Sequence, residues 1–89
     1  MPSYLVETYL ARGVGAGEKA ARERRARSVA EELTRKGTRV CLERTIHVPE
    51  DELCFFVFDA PSRLEATLVA ERAGLDHFRV VEMIPSGEE

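Results

Sequence analysis

Hydrophobic and polar positions along this chain follow strand-like and helix-like patterns in turn. Strands are rich in β-branched and aromatic residues, and four segments have this character: 3–10, 38–48, Leu53–Asp59 and 78–84. Helices repeat apolar residues every three or four positions, as residues 18–36 and the segment between Ser62 and Gly74 do. The predicted order is therefore strand, helix, strand, strand, helix, strand.

The ends and apolar stripes of both helices can also be predicted. Ser62 with Glu65 three residues later is a capping box, and Gly37 and Gly74 are natural C-terminal stops. The apolar stripe of the first helix consists of Ala26, Val29, Ala30 and Leu33. That of the second helix consists of Leu64, Leu68, Val69 and Ala73. Small residues on the first stripe would let that helix lie close to a sheet.

This order of elements predicts an α+β fold, the ferredoxin-like βαββαβ sandwich. In it, a four-stranded antiparallel sheet carries two helices on one face. Residues 1–85 form the single predicted domain, and residues 86–89 are predicted to be a frayed tail. A domain of this size buries only about 60 to 65% of the surface of its unfolded chain, so dimerisation would add to a modest core.

The third predicted strand, Leu53–Asp59, is apolar on both of its faces. Only two helices are available to cover the sheet, so its other face needs a partner. If the turn after the second strand pairs Val48 with Leu53, one face carries Leu42, Ile46, Phe55 and Val57, together with Arg44 and Asp59. We expect that aliphatic face to lie beneath the helices, which leaves Cys54, Phe56 and Phe58 directed toward a second subunit.

The chain is therefore predicted to form a homodimer through the open sheet face, with a small pocket between the two sheets. Strand one would contribute Leu5, Glu7 and Tyr9 to that face, and strand four either Val81 and Met83 or Val80, Glu82 and Ile84. The predicted pocket-lining residues are Glu7, Tyr9, Glu43, Thr45, His47, Cys54 and Phe56.

His47 and Cys54 are the clearest candidates for chemistry, since this register makes them cross-strand neighbours. An imidazole beside a thiol could activate it as a nucleophile or share a metal ion with it. The alternative is a buried cysteine that packs as a small hydrophobe. Cys41 would lie near Ala60 rather than opposite Cys54, so no disulfide is expected.

Carboxylates are the second candidate. Glu7 and Glu43 could serve as acid and base if their environments separate their pKa values. The alternative is that one of them pairs with Arg39, Arg44 or Arg79 at the sheet edge. No metal ligands are predicted, since His47 and His77 belong to no recognised metal-binding spacing; the alternative is a metal site formed by His47, Cys54 and either Glu7 or Glu43.

Charge and composition exclude several classes of function. A net charge of -3 argues against nucleic-acid binding, and the arginines of residues 22–27 alternate with glutamates, as on a solvated helix face. The glycines of residues 13–17 match neither phosphate-loop nor dinucleotide-binding spacing, which favours a flexible connector. No secretory signal or membrane-spanning run is visible, so we expect a cytoplasmic protein without membrane association.

Four segments taken in order resemble a known family: Tyr4-Leu-Val-Glu7, Cys54-Phe-Phe-Val-Phe-Asp-Ala-Pro-Ser62, Ala70-Glu-Arg-Ala-Gly-Leu75 and Val80-Val-Glu-Met83. The chain is similar to the nickel-binding-protein-like family of small domains, within the dimeric α/β-barrel superfamily. The resemblance implies the ferredoxin-like fold and the dimer. Metal-binding members carry histidines after the first strand and in the second helix, where this chain has Tyr9-Leu-Ala-Arg-Gly13 and Glu71-Arg-Ala-Gly74. The resemblance therefore transfers no metal ligand.

The sequence thus predicts a small-ligand or metal-ion binding module that acts as a homodimer. The alternative is a cofactor-independent enzyme that uses the same pocket for oxidation or proton transfer on a small molecule. Neither a ligand nor a cofactor is identified by the sequence.

Overall fold

The computed structural model of the chain describes residues 2–11, 13–75 and 77–84. Its regular elements are β1 (Ser3–Tyr9), α1 (Ala16–Arg35), β2 (Cys41–Val48), β3 (Leu53–Asp59), α2 (Arg63–Arg72) and β4 (Arg79–Met83). A short 3-10 turn, Pro49–Asp51, joins β2 to β3. The predicted order of elements is confirmed, whereas the predicted tail at residues 86–89 lies outside the described residues.

The strands form one antiparallel sheet in the order β2-β3-β1-β4. Residues of both helices join one core cluster with a single set of strand side chains, so the two helices cover the same face of the sheet. The predicted ferredoxin-like α+β arrangement is confirmed. No helix within the described part of the chain combines the length and apolarity that crossing a bilayer requires.

Both helices end at the glycines that the sequence indicates. Gly37 and Gly74 have φ angles of +104° and +72°, which residues with a Cβ atom rarely adopt. The amide of Thr38 donates to the carbonyl oxygen of Leu33 at 2.9 Å, and each helix closes with the paired bonds of a Schellman motif. Residues 38–40 are used in this cap and in contacts to α1, so β2 begins at Cys41 rather than at the predicted residue 38.

The start of α2 is capped as predicted. The Ser62 hydroxyl accepts a hydrogen bond from the amide of Leu64 and donates one to the Glu65 carboxylate. That bond from Ser62 lowers the pKa of Glu65 from its ordinary value.

The core lies between the helices and one face of the sheet. Its helical side is built largely from alanine, which lets the helices approach the strands closely; these residues are Ala26, Ala30, Leu33, Ala66, Val69, Ala70 and Ala73. The predicted stripe of α1 is confirmed. In α2, Leu64 was predicted to be part of the buried stripe, but its side chain is 71% exposed and Ala66 and Ala70 are buried instead.

The predicted facing of β3 is wrong. Cys54, Phe56 and Phe58 are fully buried beneath the helices, whereas Phe55 and Val57 lie on the opposite face. The hairpin register was correctly predicted from Val48 as far as Arg44, but Leu42 pairs with Phe58 instead of Asp59.

The predicted facing relied on counting Leu42 with Ile46 on one face, and a β-bulge at Glu43 in β2 separates these two residues. An extra residue in one strand moves everything beyond it to the other face. The bulge places Leu42 under the helices while Arg44 and Ile46 remain on the open face. Without the bulge, Leu42 would have shared a face with Ile46, as the alternation alone predicts.

One arginine of α1 departs from the predicted solvated helix face. Arg22 is buried, and its guanidinium donates to the Glu18 carboxylate at 2.9 Å and to the carbonyl oxygen of Tyr9 at 2.7 Å. Glu23 and Arg27, four residues apart on α1, form an ion pair at 3.4 Å. Arg22 therefore fastens α1 to the end of β1.

Candidate functional site on the open face of the sheet

The face of the sheet opposite the helices, called the open face from here on, is mainly apolar. Directly opposed residues in antiparallel strands share a face, so the register defines its membership. Its apolar side chains are Leu5, Tyr9, Cys41, Ile46, Val48, Leu53, Phe55, Val57, Val81 and Met83. Its polar side chains are Ser3, Glu7, Arg44, Asp59 and Arg79.

Much of this apolar surface is accessible. Tyr9 is 45% exposed and Ile46 is 38% exposed, while Leu5, Phe55 and Val81 are half-buried. Val57, at the middle of the face, is shielded to 2% exposure. Neither helix covers this side, so an apolar strip runs across all the strands.

An ion pair interrupts the apolar strip. Arg79 on β4 contacts a carboxylate oxygen of Glu7 on β1 at 3.0 Å through both Nε and a terminal nitrogen. The Glu7 side chain is 24% exposed and Arg79 is 71% exposed. Phe55 lies on the other side of Glu7 in the register, so this carboxylate has an aromatic neighbour and a cationic one.

A second polar group lies at the opposite end of the strands. The Ser3 hydroxyl donates to the Asp59 carboxylate at 2.7 Å. A hydrogen bond with the Asp59 carboxyl and its negative charge raise the pKa of Glu43, the bulge residue, above the ordinary value. Among the described residues, Glu43 is therefore paired with Asp59 and not, as was predicted, with Glu7.

The structure does not bring the predicted pocket residues together. Glu7 and Tyr9 lie on the open face, and Glu43 is exposed at the bulge. The other four residues belong to the helix-covered side: Thr45, His47, Cys54 and Phe56. Thr45 donates to Glu23 of α1 at 2.9 Å, and Cys54 and Phe56 are core residues. The register pairs Glu7 with Phe55 and Tyr9 with Leu53, so β1 contributes to the face opposite to that of Cys54 and Phe56.

His47 and Cys54 are cross-strand partners, as the hairpin register predicts. Burial raises the pKa of the Cys54 thiol, although Lys19 and Arg22 oppose the shift. The thiol is therefore kept protonated at neutral pH, which favours the interpretation of Cys54 as a packed hydrophobe over that of a nucleophile. Cys41 and Cys54 are both free thiols.

Some of the residues on this face were predicted correctly from the sequence. Arg79 was among three candidate partners for the glutamates, and the structure selects it for Glu7. Val81 and Met83 are the residues of β4 on the open face, which decides between the two predicted alternatives. The contact of Ser3 with Asp59 was missed because the bulge-free register placed Asp59 opposite Leu42.

Clusters of side chains that could bind a metal ion are the remaining feature of the candidate site. Within residues 2–11, 13–75 and 77–84, no three His, Cys, Asp or Glu side chains cluster in a way that could hold a metal ion. The groups that the open face offers to a ligand include those of Glu7, Tyr9 and Arg79, set among aliphatic and aromatic side chains.

Comparison with known proteins adds no relative. No family model matches this chain, and no match was found among the curated proteins or the solved structures. The resemblance to the nickel-binding-protein-like family therefore stays a prediction.

Proposed function

We propose that this protein is a small-ligand-binding module that acts as a homodimer, with two copies packing the open faces of their sheets together. The observation that carries the proposal is the apolar strip on the open face, with Tyr9, Ile46 and Phe55 accessible on it. Contiguous apolar surface of this kind marks interaction sites on small proteins.

A second copy of the chain is the partner that suits this face. In a two-fold dimer both subunits contribute the same surface patch to the interface. The apolar strip of one subunit then packs on that of the other, and the charged residues of the two subunits run in opposite directions across the interface. Glu7 and Arg79 contribute one negative and one positive group to each face, and Asp59 and Arg44 contribute another of each sign; a two-fold axis can place them opposite their counterparts. Aligned packing of two sheets leaves a layer of interdigitating side chains about 10 Å thick.

The ligand of this proposal is a small organic molecule held between the two sheets. Glu7 is already neutralised by Arg79, which lowers the cost of enclosing both charges away from water. Tyr9 adds an aromatic surface with a hydroxyl, and such mixtures of apolar walls and few polar groups are typical of ligand pockets. The metal-ion version stays a prediction, which calorimetry with nickel, copper and zinc would test.

The dimer is tested by light scattering coupled to size-exclusion chromatography at micromolar concentration. We expect the wild-type chain to elute with twice the 10.0 kDa mass of one chain. Ile46→Asp places a charge on the open face at a position already 38% exposed, and we expect it to yield monomers. Leu64→Asp is the matched control, since Leu64 is exposed on α2 outside the open face, and it should remain dimeric.

A wild-type chain that stays monomeric at that concentration would contradict the proposal. So would an Ile46→Asp variant that dimerises as well as Leu64→Asp. The ligand half of the proposal is separate: a crystal structure of the dimer with side chains filling the whole space between the sheets would remove it while leaving the dimer intact.

A further inference from the structure

A groove of about 480 Å³ lies between the second half of α1 and the first residues of β2. Its walls come from both elements and comprise Arg27, Ala30, Glu31, Thr34, Arg35, Arg39, Val40, Cys41 and Leu42. Among these residues, Cys41 is the register partner of Asp59 and lies on the open-face side of the sheet. The groove therefore adjoins one edge of the open face, while its floor and its arginines lie outside that face.

The floor of the groove is apolar and held in place by the core. Ala30, Val40 and Leu42 are almost fully buried and belong to the core cluster. The Thr34 hydroxyl donates to the carbonyl oxygen of Val40 at 2.8 Å and accepts from its amide at 3.1 Å. This double hydrogen bond fastens the end of α1 to the start of β2, so the groove is formed before any ligand arrives.

The rim of the groove is cationic, although the whole chain has a net charge of -3. Arg27, Arg35 and Arg39 face a single acidic residue, Glu31. Arg27 already bonds a carboxylate of its own helix. Within the described residues, Arg35 and Arg39 have neither a hydrogen-bond acceptor nor an ion-pair partner for their guanidinium groups.

We propose that this groove binds a small organic anion, a carboxylate with a hydrocarbon body. Guanidinium groups bind carboxylates through paired, charge-assisted hydrogen bonds, which Arg35 and Arg39 have available. The floor of Ala30, Val40 and Leu42 would cover the hydrocarbon body. The volume lies in the range of about 300 to 1,000 Å³ that is typical of small-ligand sites.

The test is a titration of the full chain, ¹⁵N-labelled, with sodium octanoate and, separately, with octanol. We expect octanoate to shift amide resonances of residues 27–42 at millimolar concentration, and octanol to bind there at least about tenfold more weakly because it lacks the charge. The double variant R35Q/R39Q should weaken octanoate binding by about tenfold or more. The control R24Q/R72Q removes the same charge at exposed positions outside the groove and should bind octanoate as the wild type does.

Several results would overturn the proposal. Octanol binding as tightly as octanoate would show that the charge is irrelevant. The anion would be bound elsewhere if octanoate shifted only amide resonances of the open face. The same conclusion would follow if R35Q/R39Q and R24Q/R72Q bound octanoate with equal affinity. The absence of any shift at millimolar octanoate would exclude this ligand class. None of these results depends on whether the chain dimerises.

Discussion

Phe55 and Phe56 are neighbours on β3 that the structure assigns to opposite environments, and their replacement by alanine tests that assignment. Phe56 has no exposed surface and is packed in the core, whereas Phe55 is half-buried on the open face. The alternation of the sequence alone predicts the reverse. The two variants remove the same side chain from consecutive positions, so each is the control for the other.

The expected losses differ several-fold. An aromatic side chain buries about 150 to 250 Å², which at about 25 cal/mol per Å² corresponds to about 4 to 6 kcal/mol. Alanine keeps the Cβ, and core Phe→Ala changes cost about 3 to 5 kcal/mol. Stability of about 0.05 to 0.15 kcal/mol per residue is usual, so Phe56→Ala should remove a large part of the free energy of unfolding. For Phe55→Ala in a single chain, the smaller buried area predicts about 1 to 2 kcal/mol.

The assay is urea unfolding followed by circular dichroism at two protein concentrations. We expect Phe56→Ala to lower the midpoint far more than Phe55→Ala at the lower concentration, and Phe56→Leu to have a smaller effect in the same direction. A dimer makes the wild-type midpoint rise with concentration, and Phe55→Ala should weaken that rise. If Phe55→Ala proved the more destabilising variant at both concentrations, the assignment of the two faces would be refuted.

Three further outcomes follow from other parts of the structure. Ser62→Ala removes the N-cap of α2 and should cost about 1 kcal/mol, or about 4 to 8 °C in melting temperature by calorimetry, and an unchanged melting temperature would contradict the capping role. In the native protein, a disulfide-exchange reagent should react with Cys41, which is exposed. Cys54 should react only in denaturant, because Cys54 is buried and burial raises the pKa of its thiol. Two rapidly reacting thiols in the native protein would contradict this prediction. Arg22→Met leaves the carbonyl oxygen of Tyr9 without its donor and should cost about 2 kcal/mol in urea unfolding, whereas a variant as stable as wild type would show that Arg22 fastens nothing.

Local signals in the sequence predicted most of the fold. The glycine stops at Gly37 and Gly74 and the cap at Ser62 act within a few residues, so their effect does not depend on distant parts of the chain. The Val48 to Leu53 pairing follows from the turn between them. Element order then restricts the topology to a ferredoxin-like sandwich.

The candidate site was predicted less well, for two reasons that concern β2 and β3. A bulge leaves almost no trace in the alternation of polar and apolar positions, and β3 is apolar on both faces, so nothing local shows which face is covered. A correct prediction of the pocket required knowing which face of β3 the helices cover. Without it, Cys54 and Phe56 were assigned to the open face, although they lie beneath the helices. Glu7 and Tyr9 were placed on the open face correctly because β1 has no such irregularity.

By itself, the sequence determined the elements, their order and the two-sided apolarity of Leu53–Asp59, because these depend on side-chain type and short-range spacing. Tertiary structure alone decided that Phe55 and Val57 lie on the open face, that Glu7 pairs with Arg79, and that Arg35 and Arg39 share a groove. Each of these depends on contacts between separate elements. Packing of the alanine-lined helices onto one face of the sheet determines which side chains are buried and which lie on the open face.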